Sequence, residues 1–348
     1  MHVLVRADAS PHIGHGHVAR CLALSYALQR HGAKVWFATR CLPATLSARL
    51  HAAGHAEIVL PKPASPGERT DLEETIAACD QVGLTPHWVI VDHYGLSATW
   101  EDGWKARGAR VLVVDDLADR SHVCDLLLDQ NLVAGMRHRY DRLVPASVKR
   151  LLGPSYALLA PEYAALAAEA RPRSFPPRRA LLSFGGGDAS AVTSQALEAV
   201  LTVPGAHLAL DVVGQVNESA FDFVADIGAE SRVRFLGGLP SLATLSLEAD
   251  FAFGAGGSTS WERFCVGLPM IIASTAPNQR PVAKELQRRG LIMWLGDADM
   301  ISVATMREAL ASFIASPWGD VWWEKARALV DGRGAERVAE AMVELGTR

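Results

Sequence analysis

Nowhere in the chain do about 18 apolar residues run together, so no segment reads as a membrane-spanning helix. The N-terminus carries Arg6 and Asp8 where a secretory signal would need its apolar stretch, which makes a cytoplasmic location the expectation. Cysteine is sparse. Cys21, Cys41, Cys79, Cys124 and Cys265 are odd in number and far apart, with no C-x-x-C pair and no histidines at zinc-finger spacing. That excludes a disulfide framework and predicts reduced, mostly buried thiols. A basic excess is missing as well: 34 Lys and Arg stand against 38 Asp and Glu, and the arginine-rich pieces at 171–179 and 288–289 are short. No nucleic acid partner is expected. No tandem repeat of roughly 20–50 residues is visible.

What is present is a balance of 49% apolar and 21% charged residues over 348 positions, which suits two globular domains better than one core. The first half alternates strand and helix patterns: "MHVLV", a helix from about His17 to Arg30, "AKVWFAT", helical Leu46 to Ala53, "EIVL", a helix around Asp71 to Cys79, "HWVIVD", a helix near Trp100 to Arg107, "RVLVVDD" and "VCDLLLDQN". Unbroken apolar runs such as Val89 to Val91 and Val111 to Val114 predict parallel strands covered on both faces. A second series starts at "ALLSFGG" and runs through "HLALDVVG", "VRFLG", "DFAFGAGG" and "PMIIAS", with helices at about 191–201, from 219, at 241–248 and from 258. The expected fold is α/β, with two Rossmann-like domains facing a cleft. The boundaries read as 1–160 for the first domain, 161–179 for a proline- and arginine-rich linker, 180–317 for the second domain and 318–348 for a helical tail. Trp322 and Trp323 in that tail are expected to pack it onto the body.

Three glycine clusters each follow a strand and open a helix: Gly14 with Gly16, Gly185 to Gly187, and "GAGGST" from Gly254 to Thr259. Such turns leave backbone N–H groups at the positive end of a helix, where phosphate binds. None matches G-x-x-x-x-G-K-[ST]. Gly14-His15-Gly16 also lacks the third glycine of a dinucleotide fingerprint and an acidic residue cleanly placed about 20 positions on. For any one cluster, plain turn chemistry is the default; two in one half point to phosphate. Glu262, one turn into the helix behind "GAGGST", can accept hydrogen bonds from ribose hydroxyls, and the amides of Asn278 and Gln279 can hold sugar or phosphate oxygens. Each taken singly is equally an ordinary helix-end residue. The grouping describes a nucleotide-sugar site made by Gly185, Gly186, Gly256, Gly257, Ser258, Thr259 and Glu262. Arg6, Asp8, Asp92, His93, Asp115 and Asp116 end strands of the first half and are candidates either for sugar contact or for bracing loops.

The stretches "RADASPHIGHGHVAR", "VDHYG", "VVDDLADRSHVCDLLLDQN", "LLGPSYALLAPEY", "SFGGGD" and "GAGGSTSWERFCVGLPMIIASTAPNQ" together resemble the UDP-2,4-diacetamido-2,4,6-trideoxy-β-L-altropyranose hydrolases of pseudaminic acid biosynthesis, in order and over nearly the whole chain. The resemblance implies the glycosyltransferase-B architecture shared with MurG-type glycosyltransferases, and removal of UDP from the sugar with water as acceptor. It places the catalytic base on His17, and substrate contacts on Tyr94, Glu262, Asn278 and Gln279. The sequence departs from the family pattern at His15, where a bulky apolar residue is expected, and in extra length centred on Met136 to Arg150.

A base for water and a positive environment for the departing diphosphate are the two requirements of such a displacement. The helix start at His17 favours the neutral ring a base needs, and the helix ends behind Gly185 and Gly256 would stabilise charge growing on UDP. No metal and no cofactor is then expected. His12, His15 and His17 on one turn lack a carboxylate partner that would make a metal set, so His12 and His15 read as polar turn residues. Asp8 either orients His17 or caps the turn, and capping is the expectation. Arg6, Asp8, Gly14, Gly16, Tyr94, Asn278 and Gln279 are assigned to the sugar. The expected protein is a monomeric UDP-sugar hydrolase with no membrane partner. The alternatives are a MurG-like transferase, which would dock on membranes through a basic and apolar run not found here, and a nucleotide-sugar binding protein without turnover.

Overall fold

The computed structural model describes residues 1–10, 13–62, 67–185, 189–237 and 239–346, and it divides into two compact units. The first comprises 1–131, 135–161 and 333 onward; the second comprises 132–134 and 162–332.

In the first unit the chain runs β1 (His2–Ala7), α1 (Gly16–Arg30), β2 (Lys34–Thr39), α2 (Ala44–Ala52), β3 (Ala56–Val59), α3 (Glu68–Gln81), β4 (Trp88–Asp92), α4 (Ala98–Ala106), β5 (Arg110–Val114), β6 (Leu126–Asp129) and β7 (Lys149–Leu152). These strands form a seven-stranded parallel sheet in the order β3-β2-β1-β4-β5-β6-β7. The apolar runs are continuous because both faces are covered. Val3 and Val5 enter one core with Leu24 and Leu28 of α1, while Leu4, pointing the other way, joins Trp100 and Trp104 of α4.

The second unit opens with α5 (Pro161–Glu169), followed by β8 (Arg179–Ser183), α6 (Ser190–Leu201), β9 (Ala209–Val213), α7 (Glu218–Asp226), β10 (Val233–Leu236), α8 (Ala243–Glu248), β11 (Phe251–Gly254), α9 (Ser258–Cys265), β12 (Met270–Ser274), α10 (Arg280–Arg288), β13 (Met293–Asp297), α11 (Val303–Ala315) and α12 (Asp320–Leu329). Its sheet is parallel in the order β10-β9-β8-β11-β12-β13, with Leu182, Val212, Phe253 and Ile271 packed against α6 and α11. The helical stretch after residue 318 is shared between the units. In the second, Trp322 of α12 is buried and donates its indole N–H to Leu291 O at 3.0 Å. The last helix, α13 (Gly334–Gly346), places Val338, Ala339 and Met342 in the core of the first.

In both sheets the strand order reverses once, between β1 and β4 and between β8 and β11. In open α/β sheets the crevice beyond the carboxyl ends of such a pair is where ligands bind. The loops there carry "GHGH" and "DHYG" in the first unit, and "FGGG" and "GAGGST" in the second.

Candidate active site

After β1 the chain makes a tight turn. Gly14 N–H donates to Ser10 O at 2.7 Å, and Gly14 holds φ +82°, a conformation that glycine takes without strain. Helix α1 then starts at Gly16, with no capping side chain and no acidic residue in its first turn among the described residues. His17 sits in that turn and is buried. Ala7 at the end of β1 pairs with Asp92 at the end of β4, so the Asp92 carboxylate reaches the imidazole: His17 Nδ1 lies 2.6 Å from Asp92 Oδ1.

Asp92 is fully buried and shared. Arg20, one helical turn beyond His17, donates through Nε to Asp92 Oδ2 at 2.6 Å and through Nη2 to Oδ1 at 2.6 Å. Its remaining nitrogen, Nη1, reaches both oxygens of Asp116, at 3.0 and 2.9 Å. Burial pushes the Asp92 carboxyl up, but the Arg20 guanidinium and the neighbouring His17 overcome it and hold Asp92 well below the usual carboxylate range. An ionised carboxylate only accepts, so Nδ1 must carry the hydrogen, and in the neutral ring the lone pair is on Nε2. The ring has an aromatic wall: Tyr94 stands edge-on to it, with centroids 4.8 Å apart and planes at 84°. The Tyr94 hydroxyl donates to Asp116 Oδ2 at 3.1 Å, and Asn131 Nδ2 donates to Asp116 Oδ1 at 2.8 Å.

The remaining strand-end candidates of this unit brace one another. Arg6 is fully buried; Nε and Nη2 bind Asp71 at 3.1 and 2.8 Å, and Nη1 binds Asp8 at 2.8 Å. Asp8 also accepts from the backbone N–H groups of Arg40 and Cys41, at 2.6 and 3.1 Å, so it holds the loop after β2, while Asp92 is the carboxylate on His17. Asp115 is buried between Tyr140 and Arg120. His93 accepts at Nδ1 from Gly95 N–H and turns Nε2 toward Asp8 at 3.6 Å. Gly16 is exposed and His15 partly exposed at the helix start. His12 and Gly186 lie outside the described residues.

In the second unit, Gly254 ends β11 where no side chain fits, since a Cβ there would lie 1.8 Å from Ser183 O. Gly257 follows at φ +94° and ψ −152°, and α9 begins at Ser258 with no side-chain cap and no acidic residue in its first turn among the described residues. This turn is anchored from below. Arg263 is buried and donates to Ala255 O at 3.1 Å and Ser183 O at 3.0 Å, tying the ends of β11 and β8 together; burial pushes its pKa down to about 10. Ser258 and Thr259 sit in the first turn, and Glu262, half-buried, lies beside Tyr163, whose hydroxyl is pushed well up by burial and by that charge. Gly185 follows β8 at φ +97° and is exposed. Asn278 and Gln279 occupy the turn after β12. Gln279 accepts from Thr275 N–H at 3.0 Å, and its side chain is what a Cβ on Gly256 would meet, at 3.6 Å. Beyond the carboxyl ends of β9 and β10 lies a groove of about 440 Å³, lined by Ser190, Gln215, Asn217, Phe221 and Phe235. The two phenylalanine rings are 4.5 Å apart.

Pattern reading names neither Arg20 nor Arg263. Arg20 was within reach, because the spacing from His17 to Arg20 puts both on one helix face. Arg263 and the Phe221–Phe235 groove carry no comparable sequence signal.

The architecture is glycosyltransferase-B. It is similar along 99% of both chains to the crystal structure of MurG from Acinetobacter baumannii, at TM-score 0.66 and 16% identity. No family model matches the chain. Among curated proteins it is 31% identical over 176 residues to the UDP-2,4-diacetamido-2,4,6-trideoxy-beta-L-altropyranose hydrolase of Campylobacter jejuni, a match covering 50% of this chain and 58% of that one. It is 25% identical over 171 residues to the spore coat polysaccharide biosynthesis protein SpsG of Bacillus subtilis, covering 48% of this chain and 50% of that one. The chain thus spans about half the length of the curated relatives it matches, and the resemblance read from its motifs is borne out over about half of the chain rather than nearly all of it.

Proposed function

We propose that this protein is a UDP-sugar hydrolase, in which water attacks the anomeric carbon of a UDP-2,4-diacetamido-2,4,6-trideoxyhexose with inversion, in the making of a nonulosonic acid such as pseudaminic acid. His17 Nε2 takes the proton from water as the new carbon–oxygen bond forms. The bond from carbon to the diphosphate oxygen breaks, and its electron pair leaves with UDP. Asp92, on Nδ1, fixes the tautomer and balances the charge that arises on the ring. The N–H groups at the start of α9, with Gly185, Gly256, Gly257, Ser258 and Thr259, take the diphosphate, and Glu262 takes the ribose. The groove offers the rings of Phe221 and Phe235 for a planar base to lie on and the amides of Gln215 and Asn217 for its polar edge. Tyr94, Asn278 and Gln279, all partly or fully exposed, face the sugar, and Arg6 and Asp8 brace the loop beneath it.

The observation that carries this reading is the 2.6 Å contact of His17 Nδ1 with an ionised Asp92 at a switch-point loop. A MurG-like transferase is the second reading, supported by the shared fold. The two separate by phosphorus NMR of purified protein with UDP-sugar and no other acceptor. Steady release of free UDP supports hydrolysis, whereas release only after an alcohol acceptor is added supports transfer.

A further inference from the structure

The Arg20 guanidinium is held on three sides. Two of its nitrogens clasp Asp92, and the third lies on both oxygens of Asp116. Asp92 holds the Nδ1 side of His17, and Asp116 holds the hydroxyl of Tyr94, whose ring walls the same imidazole. Two separate arms reaching one ring therefore meet in a single side chain, which is buried and contributed by the helix that carries His17.

We infer that Arg20 is a positioning residue for the reaction proposed above, keeping Asp92 an obligate acceptor so that His17 presents Nε2, and locking Tyr94 at the ring edge through Asp116. Lysine cannot replace it, because a single ammonium lacks the planar fork that spans both carboxylates. Nothing in this role requires Arg20 to touch the substrate.

Nitrogen NMR of labelled imidazole in the substrate-free protein tests this directly. At a pH where the ring is neutral, the wild type should carry the hydrogen on His17 Nδ1; Arg20→Gln, with its fold verified by its amide spectrum, should move the ring signals toward the tautomer mixture of free histidine. If Arg20→Gln does not fold, the charge-balanced pair Arg20→Gln with Asp116→Asn carries the same test. With substrate, kcat should fall about 10- to 100-fold, Arg20→Lys should recover only part of it, and UDP affinity should stay within about twofold. A folded Arg20 variant that keeps the wild-type tautomer signature overturns the inference. A wild type that releases no UDP defeats the hydrolase reading instead and leaves the tautomer result standing.

Discussion

His17 and Asp92 are 75 residues apart in sequence, and their side chains are 2.6 Å apart in the folded chain, brought together by the parallel pairing of β1 with β4. The contact fixes which nitrogen of the ring bears hydrogen. Asp92→Asn puts an amide in its place, and an amide turned with its N–H toward the ring selects the wrong tautomer for a base at Nε2. Turnover should drop by roughly 10²–10⁴-fold with UDP affinity little changed, as in other histidine–carboxylate pairs. Steady-state kinetics beside calorimetric titration with UDP checks it, and parallel loss of both quantities would speak for a structural role alone.

His17→Asn removes the base and should abolish hydrolysis while leaving UDP binding nearly intact, because the nucleotide contacts proposed here all come from the second unit. Calorimetry with UDP on the variant is the check. An equal loss of binding and turnover goes against a purely catalytic His17.

Two glycines of the "GAGGST" turn should behave differently. At Gly254 a methyl group would collide with Ser183 O, so Gly254→Ala should disrupt the β8–β11 pairing and yield little folded protein. Around Gly257 there is open space, but φ is +94°, so Gly257→Ala should cost about 1–3 kcal/mol of backbone strain and redirect the N–H groups at the start of α9. Expected is a folded protein with UDP affinity reduced at least about tenfold. Normal affinity in Gly257→Ala would remove this turn from the nucleotide site.

Arg263→Met removes the side-chain donor of Ala255 O in a buried place and leaves Ser183 O with the backbone N–H of Ala255, at 3.2 Å, as its donor. A loss of about 1–3 kcal/mol is expected in urea unfolding, the cost of one orphaned acceptor and one weakened one offset by burying methionine instead of a cation.

His122 gives the first unit a pH dependence. It is buried, with Nδ1 2.6 Å from Glu101 and Nε2 3.9 Å from Asp115. Burial opposes its charge, but the two carboxylates prevail and push its pKa up from 6.5 to about 9. The folded state therefore holds this proton more tightly than the unfolded chain does. The stabilisation, on the order of 3 kcal/mol at most, is complete below pH 6.5 and is lost as pH rises through about 9. Urea midpoints for wild type and His122→Gln should differ most near pH 6 and converge by pH 9.5. A gap independent of pH would show that the pair is not an ionic one.

Much of the fold is legible because it rests on local signals. Strands buried on both faces leave runs such as Val111 to Val114, and strand-to-helix turns leave glycines, so both switch-point loops stand out in the sequence. Of the four edge strands, β3 and β10 are read from "EIVL" and "VRFLG", but β7 and β13 are not: β7 is only four residues, and β13, "MWLGD", is partly exposed throughout and has no apolar run. The site is legible as residue types at strand ends, but not as partnerships. Asp8 and Asp92 read alike in sequence, and only the adjacency of β1 and β4 gives His17 to Asp92 and leaves Asp8 to the backbone of Arg40 and Cys41. Arg6 reads equally as a sugar ligand or a loop brace because it ends a strand, and the sequence gives no sign that Asp71, contributed by α3, binds it.

The central claim is that water, activated by His17, attacks carbon. Hydrolysis of the UDP-sugar in oxygen-18 water, followed by mass spectrometry of both products, tests it most directly. The account predicts one heavy oxygen in the freed sugar and none in UDP; heavy oxygen in UDP would mean attack at phosphorus and would contradict it.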